Sequence, residues 1–140
     1  MATIVVGIDG SPASEKALRW AVAEARLRRA VVRAVYAWSF PFRGGEIAHL
    51  AAEAAHPALQ QEAEQLAENA VRRAVGADAD MVERVVIEAS PAQALTETAR
   101  DADLLVVGSR GRGGFAGLLL GSVSNQCAQH APCPAVIIHP

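Results

Sequence analysis

Residues 3–38 read TIVVGIDGSPASEKALRWAVAEARLRRAVVRAVYAW, and this stretch decides the fold of the 140-residue chain. Its first part, Thr3–Ile8, is short, continuous and β-branched, which is typical of a strand covered on both faces. Ser11 and the proline after it suit the N-cap and first position of a helix, and apolar residues then recur at helical spacing through 13–29. A second β-branched run at 30–38 completes a β-α-β unit. Such units nearly always have parallel strands and a right-handed crossover.

The same alternation continues along the rest of the chain. The stretch 39–57 is irregular and is predicted to be a loop with one helical turn around 46–55. An amphipathic helix follows at 58–75 and ends at Gly76. The remaining predicted elements are strands at 81–88, 103–107 and 135–139, with helices at 91–100 and from Ser122 to about residue 131.

Five strands alternating with four helices predict the α/β class. We expect a single domain over residues 1–140, built as an open five-stranded parallel sheet of order 3-2-1-4-5. Helices cover both faces, as in Rossmann-like folds. In this order the winding direction reverses between strands one and four, and ligands of open α/β sheets bind in the crevice at that point. Asp9-Gly10 and Gly108-Ser109 follow these two strands, so they are predicted to form the crevice.

The loop after the fourth strand is rich in glycine, with five glycines between positions 108 and 117. Glycine allows backbone amides to approach a ligand closely. A helix that begins at Ser122 or Ser124 adds free N–H groups and the positive end of its dipole. Arg110 and Arg112 carry forked donors that suit phosphate oxygens. Together these features predict a phosphate-binding site.

Two other phosphate-binding motifs fit less well. Residues 111–116 satisfy the loose G-x-G-x-x-G/A pattern, but a Leu-Leu-Leu-Gly insert at 118–121 separates them from the helix and no acidic residue follows at the required distance. A Walker A loop needs a Gly-Lys pair, and Lys16 is the only lysine in the chain.

What remains is the spacing Gly108-x2-Gly111-x9-Gly121-Ser122. It resembles the G-x2-G-x9-G-S/T signature of the nucleotide-binding subgroup of the universal stress protein family. The opening Val-x-Gly-x-Asp-Gly-Ser at 5–11 and the Ala-Pro-Cys-Pro at 131–134 are also similar. The resemblance therefore covers nearly the whole chain.

This resemblance implies an ATP-binding domain, with Mg²⁺ accompanying the nucleotide. Asp9 would hydrogen-bond polar atoms of the ribose or adenine, and Ala37 would meet adenine through its backbone. Ser124 would add a hydroxyl to the phosphate contacts. The other matching positions would flank the base and ribose or hold the phosphates, and they are Gly7, Val107, Gly108, Gly111, Gly121, Ser122 and Val123.

The acidic residues of the sequence indicate whether the protein is expected to turn over ATP. Phosphoryl transfer needs a metal held by an acid and a group that orients the nucleophile, and Asp9 is the only acidic residue expected at the crevice. We therefore predict a regulatory stress-response module with slow or no ATP turnover and no catalytic residue. Two alternatives stay open: a phosphotransfer or adenylating enzyme in which Ser122 is modified, and an ATP-free dimerisation module. The choice among ATP, AMP and a cyclic nucleotide also stays open.

Composition and local sequence argue against several other functions and locations. A net charge of −2 argues against general nucleic-acid binding. The start MATIVVGID lacks the features of a signal peptide and no 18-residue apolar run occurs, so a cytoplasmic location without membrane contact is expected. Cys127 and Cys133 are predicted to be reduced thiols. The four histidines show no metal-ligand spacing, so no metal site is predicted in the protein.

The carboxyl-terminal part of the chain carries no charge. From residue 113 to residue 140 there is no Asp, Glu, Lys or Arg, although a surface helix and an edge strand usually contain some. This favours a homodimer formed through the last strand or last helix. The sequence does not indicate a downstream protein partner.

Overall fold

The computed structural model describes residues 1–40, 44–110 and 120–140. Its five strands form one parallel sheet in the order β3-β2-β1-β4-β5, which confirms the predicted order. The strands are β1 (Thr3–Gly7), β2 (Val31–Trp38), β3 (Val82–Glu88), β4 (Leu104–Gly108) and β5 (Ala135–Ile138).

Four α-helices connect the strands: α1 (Pro12–Arg28), α2 (Glu46–Val75), α3 (Pro91–Thr98) and α4 (Ser122–His130). Short 3-10 helices follow α2 and α3. Serine side chains cap two of the helices, and the cap at Ser11 was predicted. Ser11 accepts from the backbone N–H of Ser14, and Ser90 accepts from that of Gln93. No described helix combines the length and apolar character that a membrane-spanning helix requires.

The sheet separates two apolar layers, which confirms that helices cover both faces. Ile4 and Val6 of β1 pack with residues of α1 and α2, whereas Val5 packs with residues of α3 and α4. All three side chains are fully buried. Because consecutive residues of the central strands are buried on opposite faces, these strands are continuous apolar runs rather than alternating ones.

The centre of the sheet joins segments that are far apart in sequence. Ile4 of β1 lies beside Leu104 of β4. Just before this pair, the N–H of Thr3 donates to Oδ2 of Asp103 across 2.8 Å. The pairing of β1 with β4 places their carboxyl ends next to each other.

The helical turn predicted around 46–55 is present, but it is part of a longer helix, and the prediction that this turn is separate from the helix at 58–75 was wrong. Helix α2 begins at Glu46 and continues through Pro57 to Val75 as one helix of 30 residues. A proline inside a helix removes one backbone hydrogen bond and crowds the preceding turn. The helix nevertheless persists, so contacts beyond the local sequence must compensate.

Those contacts join α2 to the ends of β2 and β3. His56 Nε2 lies 2.8 Å from Glu88 Oε2, and Trp38 Nε1 donates to Gln60 Oε1 across 2.7 Å. The ring of Trp38 also packs against that of His56, with centroids 5.3 Å apart. These tertiary contacts flank Pro57 on both sides, and they explain why the local sequence was a poor guide here.

Candidate functional site

A cavity of about 290 Å³ opens at the carboxyl edge of the sheet, where the strand order reverses between β1 and β4. This is the position at which open α/β sheets bind ligands. The cavity is on the α3–α4 side of the sheet. Its lining comes from the ends of β1, β2 and β4 and the starts of α1, α3 and α4: Gly7, Ile8, Asp9, Ser14, Val35, Ala37, Pro91, Leu95, Val107, Gly108, Arg110, Gly121, Ser122 and Val123.

The turn from β1 to α1 forms one wall and is held by its own side chains. Asp9 Oδ1 accepts from the N–H of Ser11 at 2.8 Å, and the N–H of Asp9 donates to Ser14 Oγ at 3.3 Å. Ser14 Oγ in turn donates to the carbonyl of Ser11 at 3.0 Å. Gly10 lies between them with φ +80°, a conformation that glycine adopts without strain. The half-buried Asp9 is therefore held in a defined orientation at the cavity wall.

The opposite wall is where β4 ends and α4 begins. The N–H of Gly121 donates to the carbonyl of Ser109 at 2.6 Å, and the N–H of Ser109 donates to the carbonyl of Ile138 at 2.8 Å. These bonds hold the two ends of the glycine-rich segment together beside β5. Gly121 is the N-cap of α4, and among the described residues no side chain caps this helix. The first amides of α4 are thus available to an acceptor from outside the helix.

Ser124 has a different environment from Ser122, although both were predicted to contact phosphate. Ser122 is exposed and lines the cavity. Ser124 is 2% exposed, and its hydroxyl donates to the carbonyls of Ser109 and Gly121 at 2.9 and 3.1 Å. In this structure Ser124 fastens the start of α4 to the end of β4 and does not line the cavity.

Two glycines allow helices to come close to the strands here. A Cβ on Gly108 would lie 3.0 Å from the backbone carbon of Ala13 and 3.1 Å from its oxygen. A Cβ on Gly7 would lie 2.9 Å from Cδ1 of Leu95. These distances are shorter than ordinary van der Waals contacts. The absence of a side chain at Gly108 and Gly7 therefore permits α1 and α3 to approach the strands as closely as they do.

The structure brings most of the predicted site residues to this one cavity. Gly111 and Arg112 lie outside the described residues. The predicted residues that line the cavity are Gly7, Asp9, Ala37, Val107, Gly108, Arg110, Gly121, Ser122 and Val123.

Sequence reasoning missed several lining residues. Val35 could have been found, because it is two residues before Ala37 on β2 and side chains two apart share a face. Pro91 and Leu95 come from α3, and their position depends on where that helix crosses the sheet. Ile8 and Ser14 flank the predicted Asp9 turn.

The thiols near the carboxyl terminus are not activated. Burial raises the pKa of Cys127, and burial together with the charge of Asp103 raises the pKa of Cys133. A raised pKa keeps each thiol protonated at neutral pH and therefore weakly nucleophilic. Within the described residues, no three His, Cys, Asp or Glu side chains are grouped to hold a metal ion.

Sequence and structure comparisons place this chain among known proteins. Residues 1–139 match the model of the Universal stress protein family. A universal stress protein of Mycobacterium tuberculosis is 42% identical over 137 residues. That match includes 97% of this chain but 45% of the relative, so the chain spans about half the length of this curated relative.

Solved structures of universal stress proteins are also similar to this chain. A universal stress protein in complex with cAMP is 32% identical, with a TM-score of 0.69, and the match covers 99% of this chain and 96% of that one. A universal stress protein from Lactobacillus plantarum has the same fold, with a TM-score of 0.81 at 21% identity, over 98% of this chain and 97% of that one. Since the family match extends over nearly every residue, this chain belongs to the universal stress protein family.

Proposed function

We propose that this chain binds a nucleotide, ATP accompanied by Mg²⁺, in the crevice between β1 and β4. It acts there as a regulatory stress-response module with slow or no turnover. The observation that carries the proposal is the cavity at the strand reversal, whose walls include Asp9 on one side and the uncapped start of α4 on the other. A solved relative that is 32% identical was determined in complex with cAMP, which supports a nucleotide as the class of ligand.

The nucleoside end of the ligand lies over β1 and β2. Val35 and Val107 supply apolar surface for the base, and Ala37 offers backbone groups to its polar edge. Asp9 accepts a hydrogen bond from the ribose or the base, since its carboxylate is already oriented by Ser11. A mostly apolar pocket with a few placed polar groups is the usual form of a small-molecule site.

The phosphate end lies at α4. Arg110, Gly121, Ser122 and Val123 line the same cavity. The Gly121 N–H donates to the Ser109 carbonyl, so the phosphates meet the amides of Ser122 and Val123 and the guanidinium of Arg110, and helix N-termini attract anions. Gly111 and Arg112 extend this set in the proposal. Asp9 carries the only carboxylate among the described lining residues, so Mg²⁺ enters with the phosphates rather than through a set of protein ligands.

The same lining supports the proposal of slow or no ATP turnover. Oδ1 of its one carboxylate accepts from the Ser11 amide, and the described part of the lining contains no histidine or second acid to orient a water molecule. We expect hydrolysis well below about one turnover per second, the low end for kinases. Faster hydrolysis, or a phosphate or adenylate group on Ser122 detected by mass spectrometry, would favour the enzyme alternative.

Calorimetric titration tests the proposal. ATP, AMP and cAMP are added separately to nucleotide-free protein in the presence of Mg²⁺. We expect saturable binding of ATP that Asp9→Ala weakens at least about tenfold, because a hydrogen bond to a charged group contributes roughly 1.5–3 kcal/mol. Asp80→Ala is the matched control, since Asp80 is exposed and does not line the cavity. Tighter binding of cAMP than of ATP would make a cyclic nucleotide the ligand. If no nucleotide binds, the proposal fails and the alternative function, an ATP-free dimerisation module, is favoured.

We further propose a homodimer formed through β5. The carbonyls of Pro134 and Ile138 accept from β4, and pairing in parallel strands alternates. The backbone groups of Ala135 therefore face the free edge. Ala135 is also exposed.

Light scattering tests this dimer. The wild type should have twice the 14.6 kDa mass of the chain. Ala135→Pro should give a monomer, because proline blocks the edge, and Ala135→Ser should stay dimeric. A monomeric wild type at micromolar concentration would refute the dimer.

A further inference from the structure

Arg73 connects helix α2 to the turn that carries Asp9. Its Nη2 donates to the carbonyl of Gly10 at 3.1 Å, and its Nε donates to Glu15 Oε1. Glu15 lies in the first turn of α1 and is itself mostly buried, with 19% of its side chain exposed. The guanidinium of Arg73 is thus held at two points beside the β1–α1 turn, although Arg73 is 63 residues away from Gly10 in sequence.

The carbonyl of Gly10 and the N–H of Ser11 belong to the same peptide group. Arg73 contacts this group at its oxygen, and Asp9 Oδ1 accepts from its nitrogen at 2.8 Å. A trans peptide is planar and its C=O and N–H point in opposite directions. Fixing the oxygen therefore fixes the direction of the N–H that holds the carboxylate.

Charge adds to this geometric effect. A cation at the carbonyl oxygen polarises the amide, and hydrogen bonds in a chain strengthen one another. The Ser11 N–H then becomes a better donor to Asp9. The positive φ of Gly10 makes the link more important, since glycine restricts the rotation of the neighbouring peptide plane less than other residues do.

We propose that Arg73 is a positioning residue for nucleotide binding, which acts through the Gly10–Ser11 peptide group to orient the carboxylate of Asp9. The inference rests on the proposed function and deepens it. Helix α2 contributes no lining residue in the described part of the chain. Through Arg73 it nevertheless controls the affinity of the cavity for the nucleotide.

The neighbouring Arg72 provides a matched control. It has the same side chain on the same turn of α2, is exposed, and pairs with Glu68 of its own helix. We expect Arg73→Ala to weaken ATP binding about threefold, which corresponds to the loss of one partly exposed charged contact. Arg72→Ala should leave the affinity unchanged, and Arg73→Lys, which keeps a cationic donor, should restore most of it. Calorimetry measures the three dissociation constants.

A second measurement needs no nucleotide. In the ¹H–¹⁵N spectrum of the nucleotide-free protein, Arg73→Ala should shift the Ser11 amide proton upfield, as a weaker hydrogen bond requires, whereas Arg72→Ala should not. Equal affinities for the two alanine variants, or a weaker affinity without a shift of Ser11, would overturn the inference. If the wild type binds no nucleotide, the proposed function fails, and an unmoved Ser11 signal would separately refute the link from Arg73.

Discussion

At Gly108 the chain has no room for a side chain. A Cβ there would press on the backbone of Ala13, which cannot move without shifting the start of α1. We expect Gly108→Ala to lower the free energy of unfolding by about 1–3 kcal/mol, as overpacking does. Urea denaturation measures the change.

Gly7→Ala is the matched comparison for Gly108→Ala. Its Cβ would meet the end of the Leu95 side chain, which lines the cavity and has space to turn into it. This variant should therefore lose less stability than Gly108→Ala while its cavity shrinks. An equal decrease in the free energy of unfolding for both variants would contradict the prediction, because it would mean that the Ala13 backbone and the Leu95 side chain accommodate an added Cβ equally well.

Two serines on the first turn of α4 should respond in opposite ways. Ser124→Ala removes a buried hydroxyl that donates to Ser109 and Gly121, and we expect about 1 kcal/mol of destabilisation. Ser122→Ala alters an exposed side chain, so stability should change by less than about 0.5 kcal/mol, whereas ATP affinity should fall. Thermal denaturation and ATP titration of both variants separate the two roles. A stability loss confined to Ser122→Ala would contradict the assignment.

The same residues indicate how far sequence reasoning reaches. Ser122 and Asp9 were recognised because each belongs to a short motif that resembles one of the family's motifs, and both line the cavity. Ser124 lies two residues beyond the motif and was predicted to add a hydroxyl, but spacing alone cannot tell which hydroxyl of a helical turn points inward. That distinction depends on the position of the Ser109 carbonyl, which is set by the pairing of β4 with β5.

Among the elements, α2 is the one whose sequence and structure disagree most. Because the helix runs through Pro57, replacing that proline should restore one backbone hydrogen bond and remove the steric conflict. We expect Pro57→Ala to raise the free energy of unfolding by about 1–3 kcal/mol, measured in urea. Pro12→Ala is the control, since proline at the first position of α1 sacrifices no helical bond. Equal effects at the two sites would mean that α2 is interrupted in solution.

Other elements could be predicted because their signals are local. The Ser-Pro pairs at the starts of α1 and α3 combine an N-cap with a proline at the first helical position, and both caps are present. Gly76 ends α2 as predicted, with φ +54°. The first part of α2 carried no comparable signal. Its stability depends on contacts with Trp38 and Glu88, which are distant in sequence.

For the whole molecule, the order of the strands was predicted from the alternation of strand and helix. The strand reversal then located the cavity. Its shape could not be predicted in the same way, because Pro91 and Leu95 reach it from α3. Arg73 was not identified either, since its partner Gly10 is brought near only by the packing of α1 against α2.

The pairing of β1 with β4 has a consequence for the synthesis of this protein. The two strands meet across a separation of about 100 residues, and a ribosome adds roughly 5–20 residues per second. The first β-α-β unit is therefore complete several seconds before β4 and α4 emerge. Until then the crevice has one wall only, so the proposed nucleotide can stabilise this domain only after β4 and α4 have been translated.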